Sequence, residues 1–359
     1  MPLVSLKFLL ARVWFVTIYY FLAILVFRKY RSIPVFIWCY VIAMIMVVIF
    51  SIIRHLHFGL DDVRAAHIVM SPFFRDHTSY GAILAMLIFA LGGAIIHRGG
   101  SILFRILLWG TWLLLATGLL LSYTRAAWMS VIIAAGILGL TIFRIRFKYI
   151  LVVCIICLIY LGEKSTDILQ KMEQDKLKST SSITEHLKSM SNISSDESNL
   201  ERINRWNSAI RMFREKPVFG HGPGTFMFKY APYQAARDKT SISTDFGNLG
   251  NAHSEYFGPL AESGFFGGLS IVIIGIVSLI TGFRVYRRLT NKRLKGLVLG
   301  MILGLITYLV HGSMNNFLDT DKASALFWGF IAAFVSLDIF YPWEDQNEIM
   351  DLEELNTKH

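Results

Sequence analysis

Nine apolar stretches of close to membrane-spanning length limit what this chain can fold into: residues 8–27, 33–53, 80–96, 102–121, 126–143, 147–161, 265–283, 296–312 and 323–341. A hydrocarbon core about 30 Å thick is crossed by roughly 20 helical residues. The sixth and eighth stretches are short. Lipid offers backbone N–H and C=O groups no partner, so short of a closed barrel each span has to satisfy its own hydrogen bonds as a helix. The expected fold class is all-α, a polytopic membrane protein of about nine transmembrane helices with one long extracytoplasmic loop containing short helices. Composition agrees, because 54% of the 359 residues are hydrophobic and 17% are charged, against about 25% charged in a soluble domain. A soluble globular enzyme and a disordered chain are both excluded.

Lys and Arg set the orientation, since short basic connections stay on the cytoplasmic side. Alternate connections are basic: Arg28, Lys29 and Arg31; Arg98 and Arg105; Arg144, Arg146 and Lys148; and the run Arg284, Arg287, Arg288, Lys292, Arg293 and Lys295. This puts residues 54–79, 122–125, 162–264 and 313–322 outside, together with the N-terminus. Arg12 interrupts the first apolar run, so no cleavable signal peptide is expected. The chain then divides into a six-span bundle (1–161), an extracytoplasmic loop (162–264), three C-terminal spans (265–341) and a short acidic cytoplasmic tail (342–359). The net charge of +10 reads as topology and not as a nucleic-acid footprint. Cys39, Cys154 and Cys157 all lie in apolar stretches, where a zinc or redox pair at Cys154-x-x-Cys157 would lack polar neighbours.

Within 162–264 the apolar runs stop. Residues 179–198 are Ser-rich without periodicity and read as a flexible linker. Leu200, Ile203, Trp206, Ile210 and Phe213 then recur at helical spacing, and Pro217 with the glycines after it ends that amphipathic helix. Arg202 sits at the edge of the stripe, placed either to solvate the flank or to reach a ligand. Gly220-His221-Gly222-Pro223-Gly224-Thr225-Phe226 has glycines that could admit a phosphate. It lacks the Lys-Ser/Thr of a P-loop and follows a helix, so it reads better as a tight turn.

His253 lies close to the membrane surface, where an imidazole can exchange a proton near neutral pH or simply hold a hydrogen bond. Arg125 stands at the outer boundary of a span, as a snorkelling cation or a functional one. Asp319-Thr320-Asp321 has the form of a metal-binding Asp-x-Asp, but in a short outer loop it reads better as a helix cap.

Three groups of residues together resemble the O-antigen ligase and O-antigen polymerase superfamily of bacterial membrane glycosyltransferases. They are Ser122-Tyr123-Thr124-Arg125-Ala126-Ala127-Trp128; Arg202-Ile203-Asn204-Arg205-Trp206 continuing through Pro217 to the glycine-rich turn; and His253-Ser254-Glu255-Tyr256 with Glu262-Ser263-Gly264 and Gly267. Asp76-His77-Thr78-Ser79-Tyr80-Gly81 resembles the polar head of an earlier family span, so the resemblance covers about 75–341. Two departures stand out: Ser254 occupies a position where the family often has Asn, and nine spans are fewer than usual.

The resemblance implies transfer of a glycan from an undecaprenyl diphosphate carrier to an acceptor hydroxyl on the extracytoplasmic face, by inverting displacement without metal or cofactor. It implies His253 as the base and Arg125 and Arg202 as diphosphate ligands. Arg205 and Arg211 rank second; Arg211 lies on the opposite side of the helix from Arg202 and is expected to face water. The implied partners are the lipid-linked donor, a glycan or lipid A core acceptor and membrane lipids, with no nucleic acid, in a bacterial plasma (inner) membrane. The alternative from another class is a polytopic transporter of a polar or lipid-linked substrate.

Overall fold

The computed structural model describes residues 1–96, 99, 101–143, 183–244 and 250–341, with side chains from 198 onward in the third of these segments. The described residues form helices and connecting turns, without a strand. The helices are α1 (Pro2–Val16), continued through a π-helical turn (Thr17–Leu22) into α2 (Ala23–Phe27), then α3 (Ser32–Leu56), α4 (Val63–Ala66), α5 (His77–Ile96), α6 (Ile102–Leu120) and α7 (Arg125–Ile142). After them come α8 (Ile183–Glu215), α9 (Phe226–Lys229), α10 (Phe257–Arg288), α11 (Lys292–His311) and α12 (Asp321–Phe340). Eight helical segments among the described residues are long and apolar enough to cross a membrane. The expected span at 147–161 lies outside the described residues.

The buried centre is the pair α5 and α11. Lipid tails are as apolar as leucine, so helices in a membrane gain little from hiding apolar surface and associate where small residues allow close packing. Gly296, Gly300 and Gly304 recur every four residues along one face of α11. A Cβ on Gly300 would stand 2.3 Å from the Phe89 carbonyl, one on Gly304 2.7 Å from the Met86 carbonyl, and one on Gly93 2.2 Å from the Gly296 carbonyl. These contacts bring the two backbones together and bury most of both helices. By contrast Leu103, Ile106, Leu107 and Leu113 on α6, like Leu3, Leu10, Val13 and Trp14 on α1, are exposed apolar side chains, the surface a bilayer covers.

Contacts between distant segments sort the connections into two ends, as the charge alternation anticipates. At one end Arg28 lies over the Phe340 ring at 5.5 Å, Tyr30 packs edge-on to Tyr341 at 5.3 Å, and Arg284 and Arg288 each pair with Asp338 at 3.2 Å. At the other end Arg12 pairs with Asp319, and the turns before α5, α7, α10 and α12 assemble.

Two expectations are corrected. The serine-rich stretch read as a linker is helical from Ile183 and continuous with the amphipathic helix as far as Glu215. Serine costs only a few tenths of a kcal/mol in a helix interior, so the interspersed Leu, Glu and Lys carry the helix through. The seventh span begins before 265: α10 starts at Phe257 and bends at Gly264, whose φ of 67° and ψ of −156° are not helical. Gly264 is required there, because a Cβ would meet the Val218 carbonyl oxygen at 2.3 Å.

Candidate active site at the non-basic end

The head of α7 is built by its own polar residues. Ser122 Oγ donates to the Leu119 carbonyl at 2.7 Å, Trp128 Nε1 donates to the same carbonyl at 3.1 Å, and Tyr123, at φ 49°, donates its hydroxyl to the Leu60 carbonyl at 2.9 Å. Thr124 Oγ1 donates to the His77 carbonyl at 2.9 Å, tying this turn to the start of α5. Asp76 caps α5 by accepting from the Ser79 amide at 2.8 Å. Arg125 therefore emerges as the first residue of α7, exposed, with no side-chain partner among the described residues.

α8 carries three arginines with different surroundings. Arg205 is buried, its Nε 2.8 Å from Glu201 Oε1, its Nη1 donating to the Asn251 carbonyl at 3.1 Å and its guanidinium over the Tyr230 ring. Burial raises the Glu201 carboxyl, but hydrogen bonds from Ser243, Arg205 and Asn204 outweigh it and hold Glu201 below its usual range. Arg211 donates to the Tyr233 carbonyl at 2.6 Å and pairs with Asp238. The expectation that Arg211 faces water is thus corrected: the segment after α9 folds back over that side of the helix. Arg202 differs from both. Its Nη1 donates to Asn199 Oδ1 at 2.9 Å, whereas its Nε is buried with no acceptor among the described residues. Burial lowers its pKa.

His253 is held by its loop in a conformation that non-glycine residues seldom adopt, with φ 46°. Its amide donates to Asn251 Oδ1 at 3.0 Å, and Trp206 Nε1 donates to its carbonyl at a long 3.4 Å. Trp206 also packs on Phe257 at 5.6 Å, so α8 and the start of α10 grip the loop between them. Such backbone strain costs of order 1–3 kcal/mol and tends to collect at functional sites. Burial, and after it the positive charges of Arg205 and Arg202, push the His253 imidazole down to about 3, partly opposed by Glu201 and Asp76. The ring is neutral at physiological pH.

Two carboxylates fix the surrounding loops. Glu262 Oε2 accepts from the Gly224 amide at 2.8 Å and its Oε1 from the Phe226 amide at 2.9 Å, while its carbonyl accepts from Gly222 at 2.7 Å. The amides that could have cradled a phosphate are committed within the chain, and the glycine-rich segment is a turn, as its sequence suggests. Glu255 is buried, and its Oε1 accepts from Tyr308 Oη at 2.6 Å and from the Phe317 and Leu318 amides at 2.8 Å each. Burial raises its pKa to about 7. Asp319 pairs with Arg12 and accepts from Asn316 Nδ2 at 3.1 Å. The expected cap at Asp319-Thr320-Asp321 takes a modest form: Thr320 is the N-cap residue but its side chain makes no capping bond, and Asp321 supplies negative charge in the first turn of α12.

Arg202 and His253 are thus brought within electrostatic reach of each other, with Asp76 and the buried His311 in the same field. His311 lies beside the backbone of Ala126, next in the chain to Arg125. Residues 109–272, a span holding Arg125, Arg202 and His253, match the family model for O-antigen ligase. That match supports the O-antigen ligase and polymerase superfamily for this segment. Comparison with curated proteins gives no match. An O-antigen ligase region within a bundle of apolar helices supports a membrane glycosyltransferase type of enzyme in polysaccharide biosynthesis.

Asp76 and Glu255 stand within segments that resemble the family but were given no role in the site, and His311 lies outside those motifs. For His311 a signal existed, since an ionisable residue ending an apolar span is a functional-site candidate by default. For Glu255 the motif gives the position but not the role, because its burial depends on residues more than fifty positions away.

Proposed function

We propose that the chain transfers a glycan from an undecaprenyl diphosphate carrier to an acceptor hydroxyl on the extracytoplasmic face, as a ligase or a surface-polysaccharide polymerase. The observation that carries this is the buried, unsatisfied Nε of Arg202 beside a neutral histidine in a strained loop. A buried guanidinium N–H without an acceptor is costly, and an anion relieves that cost. The planar fork of arginine matches diphosphate oxygens.

In this reading the acceptor oxygen attacks the anomeric carbon as His253 takes its proton. The bond from that carbon to the diphosphate oxygen breaks, with inversion, and the electron pair leaves with the diphosphate. Arg202 stabilises the charge growing on the leaving group. Arg125, exposed at the head of α7, meets the same lipid-linked diphosphate from the membrane boundary. Arg205 is better suited to position the His253 loop than to touch substrate. The described basic connections, 28–31 and 284–295, lie at the opposite end and support an extracytoplasmic site through the positive-inside tendency.

The test is transfer by the purified chain in nanodiscs, with a fluorescent glycan on undecaprenyl diphosphate and candidate acceptors. A new glycosidic bond supports the proposal. Movement of the donor across vesicles without bond formation favours a transporter instead.

A further inference from the structure

At the basic end, away from His253, a groove of about 870 Å³ opens between α1–α2, α3 and α12. That volume is in the range of ligand cavities. The π-helical turn Thr17–Leu22 forms one wall, contributing Ile18, Tyr19 and Leu22; π-turns inside helices often mark functional positions. The floor is tight, because Gly329 would carry a Cβ only 2.5 Å from Phe36 Cζ. The mouth is cationic: Arg28, Lys29 and Arg31 line it and are exposed. α3 also starts here at Ser32, but the Ser32 and Ile33 amides are bonded to the Lys29 and Tyr30 carbonyls and Pro34 has no N–H, so the charge of the rim is that of the side chains.

We propose that this groove holds one anionic phospholipid, its phosphate among Arg28, Lys29 and Arg31 and an acyl chain against Leu22 and Phe36. Three cations at the rim of an apolar slot complement a lipid that is negative at its head and apolar below. A zwitterionic headgroup adds a positive charge at that rim and is disfavoured.

The test uses the full chain in nanodiscs of mixed phosphatidylglycerol and phosphatidylcholine, extracted into detergent and examined by native mass spectrometry. The expected result is retention of phosphatidylglycerol over phosphatidylcholine. Juxtamembrane cations each contribute a gain of about fivefold, so Arg28→Gln, Lys29→Gln and Arg31→Gln together weaken retention roughly a hundredfold. Cys39→Trp, which fills the groove and leaves the cations in place, also displaces the lipid. Arg287→Gln with Lys292→Gln, outside the groove, leaves retention unchanged. Equal retention of the two lipids, or full retention by either groove variant, overturns the proposal.

Discussion

The Arg205 guanidinium lies so close over Gly250 that a Cβ on that glycine would stand 1.8 Å from Nη1. Gly250 has φ 124°, so the close approach and the backbone conformation both require glycine. Through this contact the buried Glu201–Arg205 pair sets the path of the chain into Asn251 and His253. Gly250→Ala is expected to cut transfer by about a hundredfold or more, the scale on which small misplacements act. The variant still extracts as a folded protein by size exclusion and circular dichroism. Arg205→Lys, which keeps the charge but loses the two-point hold, recovers only part of the activity.

His253 supplies a pH dependence of defined sign. Its ordinary value of 6.5 is lowered to about 3 in the folded chain by burial and by Arg205 and Arg202. Between pH 6.5 and about 3 the unfolded chain therefore binds the proton first, and stability falls as pH drops through that window. Thermal unfolding in detergent is expected to show this slope, and His253→Gln to flatten it. Under the proposed function, bound diphosphate offsets the two arginine charges and raises the imidazole. The acid limb of kcat then lies at higher pH than that of kcat/KM.

Glu255 works in the opposite direction. Its folded value of about 7 lies above the ordinary 4.5, so its contribution is present below pH 4.5 and is lost as pH rises through 7. Glu255→Gln keeps an acceptor for the Phe317 and Leu318 amides and removes that slope. Glu255→Ala leaves both amides unpaired, at about 1–3 kcal/mol each, and is expected to lower the unfolding temperature at every pH.

Glu262 tests the reading of the glycine-rich turn. Glu262→Ala strands the Gly224 and Phe226 amides and should destabilise the loop by a few kcal/mol, about 1–3 per amide. Limited proteolysis near 220–226 reports it. If these amides instead bound the donor phosphate, the variant would free them and tighten donor binding.

The membrane helices were legible in the sequence because lipid imposes length and apolarity locally, with no need for tertiary information. The turn at Gly220 and the helix from Leu200 were legible for the same reason, since backbone conformation and periodicity are local properties. The buried face of that helix was not: Glu201, Asn204, Arg205, Ser208, Ala209 and Met212 are buried there, while the apolar stripe is only half-buried. Arg211 was misread, since the segment bearing Tyr233 and Asp238 has no periodicity to show that it covers the helix. The helix at 183–198 is hidden by its serine-rich composition and shows only through its continuity with the helix that follows. Glu255 and Glu262 were quoted within the family-like motif, but that they hold loops and not substrate became visible only with their amide partners in place.

The central claim is that His253 accepts the acceptor proton beside a diphosphate held by Arg202. Single-turnover transfer from the lipid-linked donor by His253→Ala, with donor binding measured on the same preparation, tests it most directly. The account predicts donor binding within about threefold of the unaltered chain and a transfer rate lower by about 10²–10⁴, the range for losing a general base. Transfer at a near-normal rate by a folded His253→Ala protein would contradict it.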